Sequence, residues 1–187
     1  IDFDNTNFNT KLGYQAGLNI KVGAMWNTFI GYQAGLSSLT NSTNAADYNV
    51  GIGHWALYSN STGYGNFALG REALYYNTTG YNNTAIGSNA LEFNTTGYGN
   101  VAIGSSALYS STGSNNAAMG QNAGFDITTG SNNIILGSNT AAPNTTSSYQ
   151  LSIGDAIYGN LTEGSIILPY GGFGRYENHL TYSEQFN

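Results

Sequence analysis

Residues 83–99 read NTAIGSNALEFNTTGYG, and the chain repeats these words on either side: NFALGREALYYNTTGYN from Asn66 and NVAIGSSALYSSTGSN from Asn100. The glycine that closes the first apolar pair recurs at Gly13, Gly31, Gly53, Gly70, Gly87, Gly104, Gly120, Gly137 and Gly154, at spacings of 18, 22, 17, 17, 17, 16, 17 and 17 residues. A fixed period of this size is the mark of a solenoid, in which no unit buries its apolar face alone and stability comes from stacked neighbours.

Each unit carries two apolar pairs. The first is Ala85-Ile86, echoed by Ala68-Leu69, Ala102-Ile103, Ala118-Met119 and Ile135-Leu136; the second is Ala90-Leu91, echoed by Ala56-Leu57, Ala73-Leu74 and Ala107-Leu108. A Gly-x-x turn separates them, and an Asn-Thr-Thr-Gly turn follows at Asn77 and Asn94 and, in degenerate form, at Ser111 and Ile127. Glycine and asparagine tolerate positive φ, so both turns have a physical basis. The pattern predicts two strands and two turns per rung. About nine rungs at the ~4.8 Å strand spacing would build a rod of roughly 40 Å, with backbone hydrogen bonds along its axis.

Adjacency carries a second expectation. Neighbouring side chains of a strand point to opposite faces, yet both members of each pair are apolar. One face then lines the interior and the other meets a neighbouring chain. The alternative, that one member of each pair occupies a bent and half-exposed strand end, stays open.

Only 7% of the 187 residues are charged, against roughly 25% in an ordinary soluble domain, so amides and hydroxyls must solvate the surface. Stacked β-structure suits this composition, because Asn and Thr can form ladders. With 40% hydrophobic residues in fixed register the chain is no disordered polymer. Four basic residues and a net charge of −6 cannot assemble a basic patch, so a nucleic-acid partner is excluded. Cysteine is absent, which removes disulfides and thiolate metal sites. No apolar run has the length of a membrane helix, Ile1 to Thr10 do not read as a signal peptide, and membrane insertion is not expected. The chain begins without methionine, which reads as a processed form or a piece of something longer.

Three regions follow: a lead-in over 1–8, the repeat over 9–161, and a C-terminal cap or transition over 162–187. The 22-residue spacing holds Ser37 to Tyr48, read as a loop bulging from one rung. Glu163 to Asn187 is richer in charge and aromatics (Tyr170, Phe173, Tyr176, Tyr182, Phe186) and reads as a cover for the last rung's edge or the approach to another domain.

The words Asn83-Thr84-Ala85-Ile86-Gly87 and Asn100-Val101-Ala102-Ile103-Gly104 resemble the head repeats of trimeric autotransporter adhesins. The longer unit, with Gly-Tyr-Gln-Ala-Gly at Gly13 to Gly17 and Gly31 to Gly35, looks more like the Gly/Asn-rich repeats of bacteriophage tail fibres. Leu151 to Leu161 looks like the segment that ends such arrays, and Leu180 to Asn187 is similar to the opening of a carbohydrate-binding-type domain of phage structural proteins. The resemblance covers roughly residues 9 to 161. It implies a left-handed, homotrimeric β-roll or β-solenoid that serves attachment. The rung is longer than in adhesin heads, which puts the cross-section in doubt, and the self-cleaving chaperone domain that commonly follows fibre repeats is not in this chain.

Catalysis finds little support. His54 and His179 are far apart, no serine lies in a nucleophile elbow, and Glu72 and Glu92 stand at offsets of two and five from their glycines, so they need not share a face. Paired carboxylates of polysaccharide-cleaving solenoids work in a cleft that this short rung is not expected to form. The chain is read as a non-enzyme with no cofactor, and the absence of a Gly-Gly-x-Gly-x-Asp repeat leaves no metal site.

Aromatic residues are the better candidates. Tyr64, Tyr81 and Tyr98 recur at 17-residue intervals and should stack along one edge; Tyr58, Tyr75 and Tyr109, with Tyr76 and Phe93 one place later, form a second set. Such faces, rimmed by amides and hydroxyls, suit sugars, and they equally suit mutual stacking for stability. Trp55, beside His54, is the most site-like single position. Seven Asn-x-Ser/Thr sequons, at Asn41, Asn60, Asn77, Asn82, Asn94, Asn144 and Asn160, are ascribed to composition rather than to glycosylation.

The leading expectation is a fibre shaft or head on a virion or cell surface, a homotrimer that attaches to a host glycan or receptor, with Tyr64, Tyr81, Tyr98 and Trp55 as the glycan contacts. A bacterial adhesin or self-assembling filament subunit is the alternative. An ice-binding solenoid ranks third, since Thr78-Thr79, Thr95-Thr96 and Thr128-Thr129 fall in turns.

Overall fold

In each rung the first apolar pair forms a single strand of three or four residues, and the computed structural model stacks these strands one above another. It describes residues 2–4, 8–20, 23–36, 46–154 and 156–167. Among them there is no helix. The strands are β1 (Asp2–Asp4), β2 (Asn9–Leu12), β3 (Thr28–Ile30), β4 (Val50–Ile52), β5 (Phe67–Leu69), β6 (Thr84–Ile86), β7 (Val101–Ile103), β8 (Ala117–Met119), β9 (Ile134–Leu136), β10 (Gln150–Ile153), β11 (Ile157–Asn160) and β12 (Ser165–Ile167). They join in one sheet in chain order. From β2 to β10 every pairing is parallel and equivalent residues sit side by side, as Ala68, Ala85 and Ala102 do. The fold is an all-β solenoid of about eight turns.

The expected second strand is absent. Ala90-Leu91 and its equivalents lie in a turn, because every second residue there is left-handed: Asn89 at φ 60° and Leu91 at φ 51°. This alternation turns successive peptide planes in opposite directions along the axis. The Asn89 N–H therefore donates to Arg71 O of the preceding rung (2.8 Å), and the Leu91 N–H donates to Ala107 O of the following one (3.0 Å). The same twist brings both side chains of the pair inside, where Ala90 and Leu91 are fully buried. A left-handed leucine costs roughly 1–2 kcal/mol, which burial of its side chain, worth about 1.5–3 kcal/mol, offsets.

Only the first pair divides between two faces. Ala85 points inward and is fully buried, while Thr84 and Ile86 flank it on the outer face, half-buried. The interior is filled by exchange of volume between positions of the rung. Phe29 fills the inward strand position where Gly35 stands in the turn, a glycine whose Cβ would run into the Phe29 ring. Gly51 is followed by Leu57, Ala85 by Leu91 and Ala102 by Leu108, all four side chains of the latter pairs fully buried. Gly124 breaks the leucine column, and Ile127 and Ile135 pack within 3.4 Å of where its Cβ would lie. Close packing at constant volume, rather than constant residue type, defines the core.

Polar groups hold the interior together as well. Asn9, Asn27, Asn49, Asn66, Asn83, Asn100, Asn116 and Asn133 form a buried column that Gln150 ends. Asn83 is representative: its Nδ2 donates to Asn66 Oδ1 (3.1 Å) and Gly97 O (2.9 Å), and its Oδ1 accepts from the backbone N (3.0 Å) and Nδ2 (3.1 Å) of Asn100. A second column, Asn60, Asn77 and Asn94, is linked in the same sense. It stops at Ser111, which leaves Asn94 Oδ1 buried without a partner among the described residues. These three asparagines belong to sequons, and their burial keeps their side-chain nitrogens from carrying a glycan.

Antiparallel strands close both ends. β1 pairs with β2, and β11 and β12 continue the sheet antiparallel to β10. The expected lead-in thus supplies β1, and the parallel stacking ends at Ile153, inside the segment assigned to the repeat. The loop expected over Ser37 to Tyr48 lies for the most part outside the described residues, as does the tail from residue 168, with His179 and its five aromatic residues.

Candidate functional site

The outer face of the sheet, the aromatic edges and one pocket are the features with functional content. On the outer face two columns run the length of the solenoid: Thr10, Thr28, Val50, Phe67, Thr84, Val101, Ala117, Ile134 and Leu151, and beside them Leu12, Ile30, Ile52, Leu69, Ile86, Ile103, Met119, Leu136 and Ile153. Leu12, Phe67, Leu69, Val101, Met119 and Ile134 are exposed, and the two columns contain no charged residue. Apart from Thr10, Thr28 and Thr84 the two columns are apolar, which is the composition of surfaces that take part in contacts.

Tyr64, Tyr81 and Tyr98 do stack. Their centroids lie 4.9 and 4.8 Å apart with interplanar angles of 7° and 2°. Their backbone positions precede the left-handed residues Gly65, Asn82 and Gly99, which fix the same outward direction in each rung. Stacking has a consequence for binding. Both faces of Tyr81 are covered by its neighbours, so within the column it offers solvent a ring edge and a phenol group rather than a face on which a sugar could lie.

Trp55 makes its ring contacts in a different run. Its Nε1 donates to Gln33 Oε1 (2.7 Å), its face meets His54 at 4.1 Å, and Tyr58 and Tyr75 approach edge-on. His54 in turn stacks on Tyr32. The run proceeds through Tyr58–Tyr75, Tyr75–Tyr76, Tyr76–Phe93, Phe93–Tyr109 and Tyr109–Phe125 with centroids 4.5 to 5.1 Å apart. A third stack, Phe8–Trp26–Tyr48, occupies left-handed positions at φ 56°, 58° and 56°.

Glu72 and Glu92 share a face after all. The left-handed Asn89 places its Nδ2 so that it donates to both carboxylates, to Glu72 Oε2 at 2.7 Å and to Glu92 Oε2 at 2.5 Å. The offset of three residues within the rung is cancelled by the turn, which folds Glu92 back over Asn89. Glu72 Oε1 is held by Arg71 at 2.9 Å. Burial, then Tyr58, Tyr76, Glu72 and Glu92, holds the Tyr75 phenol above its ordinary pKa of 10.0; burial and the two carboxylates act on Tyr109 in the same direction. Glu72 is engaged by amide and guanidinium donors and Glu92 by the same amide, an arrangement that braces two rungs.

A shallow pocket of about 310 Å³, lined by Asn122, Phe125, Asp126, Asn139 and Ala141, lies where the long aromatic run ends. Sequence reasoning missed it. The signal was present: from Tyr58 on, the place five residues after the period glycine holds Tyr58, Tyr75, Glu92, Tyr109 and Phe125, with Phe93 supplying the ring beside Glu92, and then Ala142 with no aromatic ring beside it. Among the described residues no group of three or more His, Cys, Asp or Glu could hold a metal ion. Compared with protein-family models, with curated proteins and with solved structures, the chain matches none.

Proposed function

We propose that this chain is the repetitive shaft or head segment of a homotrimeric attachment fibre, its repeat resembling those of phage tail fibres, that projects toward a host surface and contacts surface glycan. The observation that carries the reading is the uncharged apolar outer face running the whole length of the solenoid. None of the eighteen outward side chains is charged, and six apolar ones among them are exposed. Three copies that turn this face to a common axis would bury it, and the rung-to-rung hydrogen bonds would give the assembly its stiffness. Amide and hydroxyl groups on the remaining surface bind water independently of pH and salt. A bacterial adhesin or filament subunit would use the same rod. Threonine stands on the outer columns only at Thr10, Thr28 and Thr84, which disfavours the flat threonine array of an ice-binding protein.

Attachment is tested by incubating fluorescently labelled protein with a panel of bacterial cells and with their extracted surface polysaccharides. Saturable binding to some strains, competed by the matching polysaccharide, is the expected result. Uniform absence of binding across the panel would count against direct attachment.

A further inference from the structure

The long aromatic run does more than brace the rungs, because it ends in the open. Phe125 is stacked on Tyr109 at 5.1 Å and 9°, and among the described residues no ring follows it, since the next residue of its column is Ala142. Phe125 is 45% exposed and lines the pocket. Around it stand groups that are already oriented. Asn122 Nδ2 donates to Asn139 Oδ1 at 2.8 Å, tying the amides of two successive rungs together. Asp126 Oδ1 accepts from the Ala142 N–H at 3.2 Å, which ties the carboxylate to the following rung. The left-handed backbone at Asn122 (φ 54°) and Asn139 (φ 56°) points both amides the same way.

From this arrangement we infer that the pocket beyond Phe125 is a saccharide subsite holding one hexopyranose ring, its apolar face on Phe125 and its hydroxyls on Asn122, Asp126 and Asn139. Three features select this class of ligand. An aromatic face alone would take any apolar ring, yet such a ring would strip water from the carboxylate and amides without replacing its hydrogen bonds. A carboxylate at the rim repels anions and accepts strong hydrogen bonds from hydroxyls. The volume, about 310 Å³, lies at the lower end of ligand pockets, roughly 300–1,000 Å³, and suits a single ring rather than an oligosaccharide. The subsite deepens the attachment reading and rests on it for the source of the sugar, a surface polysaccharide.

The probes are the methyl α- and β-glycosides of glucose, galactose, mannose and N-acetylglucosamine, followed by saturation-transfer-difference NMR and calorimetric titration of the full chain. At least one glycoside is expected to bind with a Kd on the order of 1 mM, in keeping with one stacked ring and a few hydrogen bonds. Phe125→Ala should weaken it at least tenfold and the isosteric Asp126→Asn several-fold, with the circular dichroism of each unchanged, whereas Ser61→Ala, in a rung remote from the pocket, should bind as the parent does. Absence of saturable binding by every glycoside, or equal binding by the parent, Phe125→Ala and Asp126→Asn, would overturn the subsite. Asp126→Asn, a surface change of one atom, keeps the test decisive if Phe125→Ala fails to fold. Cell attachment that persists undiminished in both variants also overturns the subsite while leaving the attachment reading intact; glycoside binding by a chain that attaches to no cell supports the subsite and sinks the attachment reading.

Discussion

Gly87→Ala is expected to lower the midpoint of thermal unfolding by about 6–12 °C, the shift that a loss of roughly 3 kcal/mol gives in a chain of this size. Two costs combine. Gly87 has φ 136°, a backbone region that residues with a Cβ avoid at about 1–3 kcal/mol. An added Cβ would also lie 2.5 Å from the carbonyl carbon of Gly104 in the next rung, so the rungs would have to part where Gly104 N–H donates to Ile86 O at 2.7 Å. Neither neighbour is a flexible side chain. Gly154 supplies the control. It has φ 55° and nothing within 4 Å of an added Cβ, so Gly154→Ala should cost only the left-handed penalty of about 1–2 kcal/mol. Thermal melts followed by circular dichroism compare the two, and equal shifts would show that close approach between rungs is not what the glycine column serves.

Asn83→Ala is expected to cost about 3 kcal/mol or more, although it removes no apolar contact of consequence. The backbone N–H of Asn100, fully buried, loses its acceptor, and so does one donor of the Asn100 amide. An orphaned buried donor costs about 1–3 kcal/mol, and each further lost bond about 1 kcal/mol. Asn66 Oδ1 keeps the Asn83 backbone donor and Gly97 O keeps Asn94, so the damage falls toward the following rung. Urea unfolding of the variant measures the loss, and a value below about 1 kcal/mol would mean that water replaces the amide and that the column is not a continuous internal bond.

Much of this architecture was legible in the repeated words. Gly87 and its equivalents marked the rung, Ala85 marked the inward position, and Tyr64, Tyr81 and Tyr98 marked a stack, because each requirement recurs at the period. What escaped was the conformation between the marks. Ala90-Leu91 has the composition of a strand, and only the left-handed backbone at Asn89 and Leu91, which costs energy locally and is recovered through burial and rung contacts, turns it into a bend with both side chains inside. The meeting of Glu72 and Glu92 on Asn89 follows from that bend and could not be read from offsets that assume an extended chain. The pocket was hidden for a different reason. It is created by what fails to recur, the aromatic residue missing at Ala142, and an eye set for periodicity passes over the break.

The tyrosine column illustrates how a correct structural expectation weakens a functional one. Stacking of Tyr64, Tyr81 and Tyr98 consumes both faces of Tyr81 and one face of each of its neighbours. Faces remain at the ends of runs, which moves the search for a ligand from the ordered middle of the solenoid to its interruptions.

Everything proposed for the assembly turns on whether the outer apolar face is covered by further copies of the chain. Size-exclusion chromatography with multi-angle light scattering measures this directly. The expected native mass is three times 19.7 kDa; a clean monomer of 19.7 kDa, with Ile86, Ile103 and their columns left to solvent, would contradict it.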